Sequence, residues 1–192
     1  MTHLTAKTQA IQQAQSFLVN QPVYLDTETT GISPTDEIVD ICLVAHDGKI
    51  LLNTLIKPIS RIPADATRIH GITNEMVQNA PTWPDLWPEI RGILTGRPLA
   101  IYNADFDLKM IQQTIAKWGI QWRVPRGNSL CIMRLYAQFH GEWNPARRDY
   151  RWQKLEDAGR QCGISIPNSH RAREDTLLAR AVLEHIARSE SL

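Results

Sequence analysis

The chain has 192 residues, 43% of them hydrophobic, and a formal net charge of +1. That length fits a single domain, 1–192, with enough apolar content for a proper core, and the near-neutral charge selects no class of partner by itself. No apolar run approaches the ~20 residues of a membrane span. The polar N-terminus lacks the pattern of a secretory signal. Cys42, Cys131 and Cys162 are isolated and odd in number, which supports neither a zinc site nor a disulfide framework, so the expectation is a cytoplasmic protein with no membrane partner.

Leu4, Ile11, Ala14 and Leu18 fall at helical spacing and predict a first helix ending before Gln21-Pro22, a helical extension over residues 1–20. Pro22 to Asp26 reads as a short apolar strand that delivers Asp26 at its end. Ile38 to Ala45 and Lys49 to Ile56 are β-rich runs joined at Asp47-Gly48, a strong two-residue hairpin signal. Pro63 to Asn79 reads as short helical turns broken at Gly71. Pro84 to Leu94 is a helix with Leu86, Trp87, Ile90, Ile93 and Leu94 on one side. Leu99 to Tyr102 is a strand, and Phe106 to Trp118 a helix with Met110, Ile111, Ile115 and Trp118 turned inward and Gly119 as its stop. Ser129 to Met133 is a strand running into a helix, His140 to Arg151 a polar loop, and Trp152 to Cys162 and Glu174 to Arg188 the closing helices. Three strands followed by alternating helix and strand define an α/β domain with a mixed sheet covered by helices. In such sheets, sites gather at strand ends and helix starts.

Charge is unevenly spread. Phe17 to Ile56 holds six acidic residues and one basic; Lys117 to Arg160 holds nine basic and four acidic. The first segment suits cations and the second a phosphate backbone, although solvated surface produces the same pattern.

Three clusters carry the chemistry. In Asp26-Thr27-Glu28-Thr29-Thr30-Gly31, two carboxylates two residues apart at a strand end share one face. They repel unless cations neutralise them, and Gly31 lets backbone approach whatever binds there. In Tyr102-Asn103-Ala104-Asp105-Phe106-Asp107 the acids read equally well as helix-start residues. In His170-Arg171-Ala172-Arg173-Glu174-Asp175 the acids again suit a first helical turn. His170, in a polar loop with Pro167, Asn168 and Ser169, is of the residue type suited to a general base. Carboxylates plus a histidine are equipment for binding hard divalent cations and deprotonating water.

In order and spacing, the clusters resemble the DEDDh branch of the DnaQ-like 3′–5′ exonucleases, which includes the proofreading subunit or domain of bacterial DNA polymerase III. The resemblance runs from about Val23 to Ile186 and rests on Asp26-Thr27-Glu28, Asn103-Ala104 with Phe106-Asp107, and His170-Arg171-Ala172 with Asp175. Ile69-His70-Gly71-Ile72-Thr73 is a fourth match. Tyr102 stands where the family often has histidine, outside the metal and base positions. Asp105 fills a variable slot, so the resemblance selects Asp107 as the ligand.

The resemblance implies a ribonuclease-H-like fold with a mixed five-stranded sheet flanked by helices. It implies two Mg²⁺ or Mn²⁺ ions held by Asp26, Glu28, Asp107 and Asp175, with His170 as general base. Such ion pairs lie ~3.5–4 Å apart and clamp the attacking and leaving oxygens. Thr29, Thr30, His70 and Asn103 would contact the terminal nucleotide, although His70 also reads as a helix-terminating surface residue. The substrate would be single-stranded 3′ ends, DNA favoured over RNA, releasing nucleoside 5′-monophosphates. The implied partners are a DNA polymerase or repair protein and a second copy in a homodimer. Because the chain ends at Leu192 directly after its last predicted helix, a free-standing repair or turnover enzyme, or an excised domain, is the expectation. Arg123, Arg126, Arg134, Arg147, Arg148 and Arg151, with Trp143, Tyr150 and Trp152 interleaved, are candidates to track upstream phosphates and stack on bases; Trp152 reads equally as core. An exoribonuclease and a catalytically dead nucleic-acid-binding module are the rival readings. The second is disfavoured because all four acids and the histidine are present.

Overall fold

The structure is a computed structural model that describes residues 5–123, 127–167 and 169–190. Leu4 of the first helix's apolar set, Arg126 of the basic stretch, Asn168 of the histidine loop and the final two residues lie outside the described residues.

The centre is a five-stranded sheet. Its strands are β1 (Val23–Thr29), β2 (Ile38–Val44), β3 (Ile50–Leu55), β4 (Leu99–Ile101) and β5 (Ser129–Cys131), in spatial order β3-β2-β1-β4-β5. The first three form an antiparallel meander, and β4 and β5 add in parallel to β1. The helices α1 (Ala6–Leu18), α2 (Ala64–His70), α3 (Asn74–Val77), α4 (Trp83–Leu94), α5 (Ala104–Lys117), α6 (Ile132–His140), α7 (Leu155–Gln161) and α8 (Ala172–Arg188) surround it. The meander, the turn at Asp47-Gly48 and the break at Gly71 agree with the sequence. Gly71 ends α2 at φ 73°, a left-handed conformation that only glycine adopts without strain.

Alternation along β1 divides the core. Val23 and Leu25 pack with Ile41, Leu43, Leu99 and Ile101 against α4 and α5. Tyr24 faces the other way and packs with Cys42, Val44 and Ala100 against α1, α6, α7 and α8. Both faces being covered, every residue of β2 is buried. Helix α1 belongs to this second core through Ala10, Ile11 and Ala14, and it packs on α6 and α8.

Several expectations are corrected. The polar stretch after α6 is not a loop throughout: Trp143–Asn144 (β6) and Asp149–Tyr150 (β7) pair antiparallel as a hairpin. The Asn144 carboxamide oxygen accepts from Ala146 and Arg147 N–H and folds its turn, and Glu142 ion-pairs with Arg151 at 2.7 Å across its base. Helix α7 starts at Leu155 rather than Trp152. The preceding segment is tied down because Tyr102 Oη donates to the Gln153 carbonyl at 3.0 Å and Gln153 Nε2 donates to Glu142. Trp118 is 38% exposed rather than inward, since α5 stops at Lys117 and Gly119 turns the chain at φ 67°. Trp152 is 46% exposed and is not core. The three cysteines are free, and no described helix is long and apolar enough to cross a membrane.

Candidate active site

Period-two geometry along β1 places Tyr24, Asp26 and Glu28 on the face covered by α8, and Thr27 on the face covered by α5. Helix α8 brings Asp175 in its first turn, buried, to the strand. Ligand oxygens of Asp26, Glu28 and Asp175 all lie within 4.8 Å of one another. Asp107 arrives from the first turn of α5, also buried, and its Oδ1 accepts from Thr27 Oγ1 at 2.8 Å. Its charge is the largest influence on Asp26 after burial itself. Three of the four acids therefore bring their ligand oxygens together on β1, and Asp107 joins them through Thr27 and its charge on Asp26 without belonging to the 4.8 Å group.

Each of these carboxyls is held out of its ordinary range. Burial, then the charges of Asp107, Glu28 and Asp175, raises Asp26 well above the usual carboxylate value. Burial, then the charges of Asp175, Asp40 and Asp107, push Glu28 up to about 8. Burial lifts Asp107 to about 7 against the opposing bond from Thr27. It lifts Asp175 to about 6 against the Ser169 N–H and His170. Carboxyls raised by burial and, for Asp26 and Glu28, by neighbouring acids mark a place where positive charge is missing. A cluster of hard oxygen donors of this kind fits divalent cations.

His170 is exposed, at φ 50°, between two anchored neighbours. Ser169 N–H donates to Asp175 Oδ1 at 3.2 Å, and Arg171 Nε donates to Asp40 Oδ2 at 3.0 Å. Asp40 is buried and sits opposite Glu28 in the β1–β2 register. Thr27, Asp40 and Arg171 were not assigned roles from the sequence. Thr27 and Arg171 carried a signal as members of the first and third motifs, and Asp40 carried none.

A cleft of about 590 Å³ opens beside Glu28, lined by Thr29, Thr30, Ile32, Ala66, Ile69, His70 and Phe106 among others. Thr29 and Thr30 are buried with their hydroxyls already engaged, the first donating to the Gly31 carbonyl and the second to Asp36. The role expected for Gly31 is corrected: a Cβ there would lie 2.6 Å from the Asp36 carboxylate, so the glycine makes room for that side chain rather than for a ligand. His70 is buried rather than on the surface. Its Nδ1 accepts from Ile72 N–H at 3.0 Å, which leaves Nε2 as the protonated nitrogen, donating to the Thr29 carbonyl at 3.2 Å. Burial lowers its pKa, in keeping with a neutral ring. Exposed Ile32, missed in the sequence, and Ile69, which opens the fourth matching segment, give the cleft apolar walls. Asn103 is exposed at the start of α5 and does not line the cleft.

Buried acids at the end of the central strand, a neighbouring histidine and an apolar-walled cleft define a nuclease of the DEDDh type. The exonuclease family model (RNase T) matches residues 23–183, and the chain belongs to that family. It is 40% identical over 183 residues to the uncharacterized exonuclease CP81 of Escherichia phage 186, covering 92% of this chain and 93% of that one. It is 32% identical over 158 residues to the PolC-type DNA polymerase III of Thermotoga petrophila, covering 80% of this chain but only 11% of the polymerase. Among solved structures, Exonuclease X in complex with 5′ overhanging duplex DNA superposes with a TM-score of 0.62 at 26% identity, covering 85% and 89% of the two chains. The mixed sheet flanked by helices is thus the ribonuclease-H-like fold of these exonucleases.

Proposed function

We propose that the protein removes nucleotides one at a time from single-stranded 3′ ends, DNA in preference to RNA, by divalent-metal-dependent hydrolysis. The observation that carries this is the convergence of Asp26, Glu28, Asp107 and Asp175 with raised pKa values at one strand end. These four carboxylates would hold two Mg²⁺ or Mn²⁺ ions. Such ions lower the pKa of bound water and stabilise charge on the attacking and leaving oxygens. His170 takes the proton of the attacking water, a contribution on the order of 10²–10⁴ in rate. The bond broken is the one between phosphorus and the 3′ oxygen of the penultimate nucleotide, and the product is a nucleoside 5′-monophosphate.

The terminal nucleotide enters the cleft beside Glu28. Ile32, Ile69 and Phe106 receive its base, and the backbone at Thr29 and Thr30, held by His70, receives its sugar. Asn103, expected to contact the same nucleotide, lies outside the cleft lining at the start of α5 and is not assigned a contact. The fit to DNA follows from likeness to the polymerase III and Exonuclease X relatives. A repair role, a polymerase or repair partner and a homodimer belong to the same proposal, the polymerase partner by likeness to the DNA polymerase III relatives.

The test is a gel assay on matched 5′-labelled single-stranded DNA and RNA, with Mn²⁺ or with EDTA. A metal-dependent ladder shortening from the 3′ end, faster on DNA, is expected. A faster RNA ladder overturns the sugar preference, and no shortening of either strand overturns the activity.

A further inference from the structure

The β6–β7 hairpin plays no part in the metal cluster or the cleft, yet it stands at the same end of the sheet. Tyr102 follows β4 at the level of Asp26, because Leu25 pairs with Ile101 in the parallel register. Its hydroxyl holds Gln153, just beyond the hairpin. Arg134 of α6 lies over the Trp152 ring, 5.8 Å from its centroid, and ion-pairs at 2.5 Å with Asp105, two residues before Asp107. The N-terminus of α5 therefore divides two regions: Phe106 faces the cleft, and Asp105 faces the Arg134–Trp152 stack.

The hairpin is built to show aromatic and cationic groups to solvent. Trp143 and Tyr150 pair across the strands, with ring centroids 5.3 Å apart at 80°, and Trp143 remains 54% exposed. Arg147 and Arg148 occupy the turn, both exposed, with no carboxylate partner among the described residues. Exposed tryptophans cost solvation free energy unless something covers them. Aromatic faces beside unpaired arginines match unstacked bases on a phosphate backbone, and a base-paired duplex keeps its bases stacked and out of reach.

We propose that the hairpin, with Trp152 and the Arg134 that covers it, holds the single strand upstream of the scissile bond. This rests on the exonuclease reading. Arg147 and Arg148 neutralise phosphates, and Trp143 and Trp152 stack on bases several nucleotides from the 3′ end. The surface thus makes the enzyme selective for oligonucleotides over mononucleotide esters, without touching the reacting atoms. Arg123 is not part of it: it lines a separate groove with Lys109 and Trp122 at the other end of α5.

The test compares wild type with the Arg147→Ala/Arg148→Ala and Trp143→Ala/Trp152→Ala double variants on two substrates with Mn²⁺. One is a 20-nucleotide single-stranded DNA and the other the p-nitrophenyl ester of thymidine 5′-monophosphate, which is too small to reach the hairpin. The inference expects KM for the oligonucleotide to rise about thirtyfold or more in the tryptophan pair, with kcat and hydrolysis of the ester unchanged. In EDTA, binding of a fluorescent 20-mer by the arginine pair should lose about 1.4 units of log-log salt slope. Unchanged KM and salt slope, or equal losses on both substrates, overturn the proposal. Tighter binding to a blunt duplex than to the single strand overturns it as well. A wild type inactive on both substrates would defeat the exonuclease reading itself.

Discussion

Arg171 donates from Nε to Asp40 Oδ2 at 3.0 Å, tying the residue after His170 to the strand position opposite Glu28. Asp40 is buried, and its pKa is raised by burial against the pull of the guanidinium. Removing the cation leaves a buried carboxyl without its charge partner. Arg171→Ala is expected to cost about 1–3 kcal/mol of stability, less than the roughly 3–5 kcal/mol of a fully buried pair because Arg171 is partly exposed. Without the cation Asp40 rises further, so the loss should be larger at pH 8 than at pH 5.5. Denaturant melts at the two pH values check this, and an equal loss at both contradicts it.

The four clustered carboxyls make a second prediction, for the metal-free protein. Their folded pKa values lie above their unfolded ones, so their contribution is fully present below the unfolded values and is lost as pH rises through the folded ones. With Asp175 near 6, Asp107 near 7 and Glu28 near 8 when folded, and ordinary carboxyls titrating at about 4 when unfolded, the loss begins at about pH 4 and is complete by about pH 8. The melting temperature in EDTA should fall across that window, and Mn²⁺ should raise it most at the alkaline end, since metals bind the deprotonated form. A thermal-shift series over pH with and without Mn²⁺ reads both effects. A flat EDTA series would sink the prediction.

Thr27→Val removes the hydrogen bond to Asp107 while nearly keeping its shape. That bond lowers the Asp107 pKa, so its loss raises it further. The acidic limb of kcat/KM should move to higher pH, and Mn²⁺ affinity at pH 7 should weaken about tenfold, the lower end for a residue that orients a ligand. Titration of Mn²⁺ by calorimetry measures the second effect directly.

His70→Ala deletes two bonds from a buried ring to the backbone, at Ile72 and Thr29. The expected cost is about 2–4 kcal/mol, or roughly 4–16 °C in melting temperature for a chain of this size. Because Thr29 loses its anchor, KM should rise as well. A stable variant with unchanged KM would show that the ring neither supports β1 nor shapes the cleft.

How much of this was legible in the sequence depends on the range of the interactions. The β-meander and most helices follow from local periodicity and turn chemistry. Asp26 and Glu28 were legible from their spacing at a strand end, whereas Asp107 and Asp175 read equally as first-turn helix acids and were selected only by the resemblance. The Arg171–Asp40 pair spans 131 positions, and nothing local to either residue announces it. The hairpin was hidden by its polar composition: its pairing is set by Trp143 against Tyr150 and by Glu142 against Arg151, contacts that periodicity does not encode. His70 was ambiguous because a histidine before a helix-ending glycine suits the surface, and only tertiary packing buries it.

The most direct measurement is the rate of mononucleotide release from 5′-labelled single-stranded DNA in Mn²⁺ by wild type, Asp107→Asn and His170→Ala, with folding of each verified by circular dichroism. A 3′-end ladder in the wild type that EDTA abolishes, and that falls to background in both folded variants, is the expected result. Wild-type rates in a folded Asp107→Asn variant, or a ladder indifferent to EDTA, would contradict a metal-dependent site built on these carboxylates.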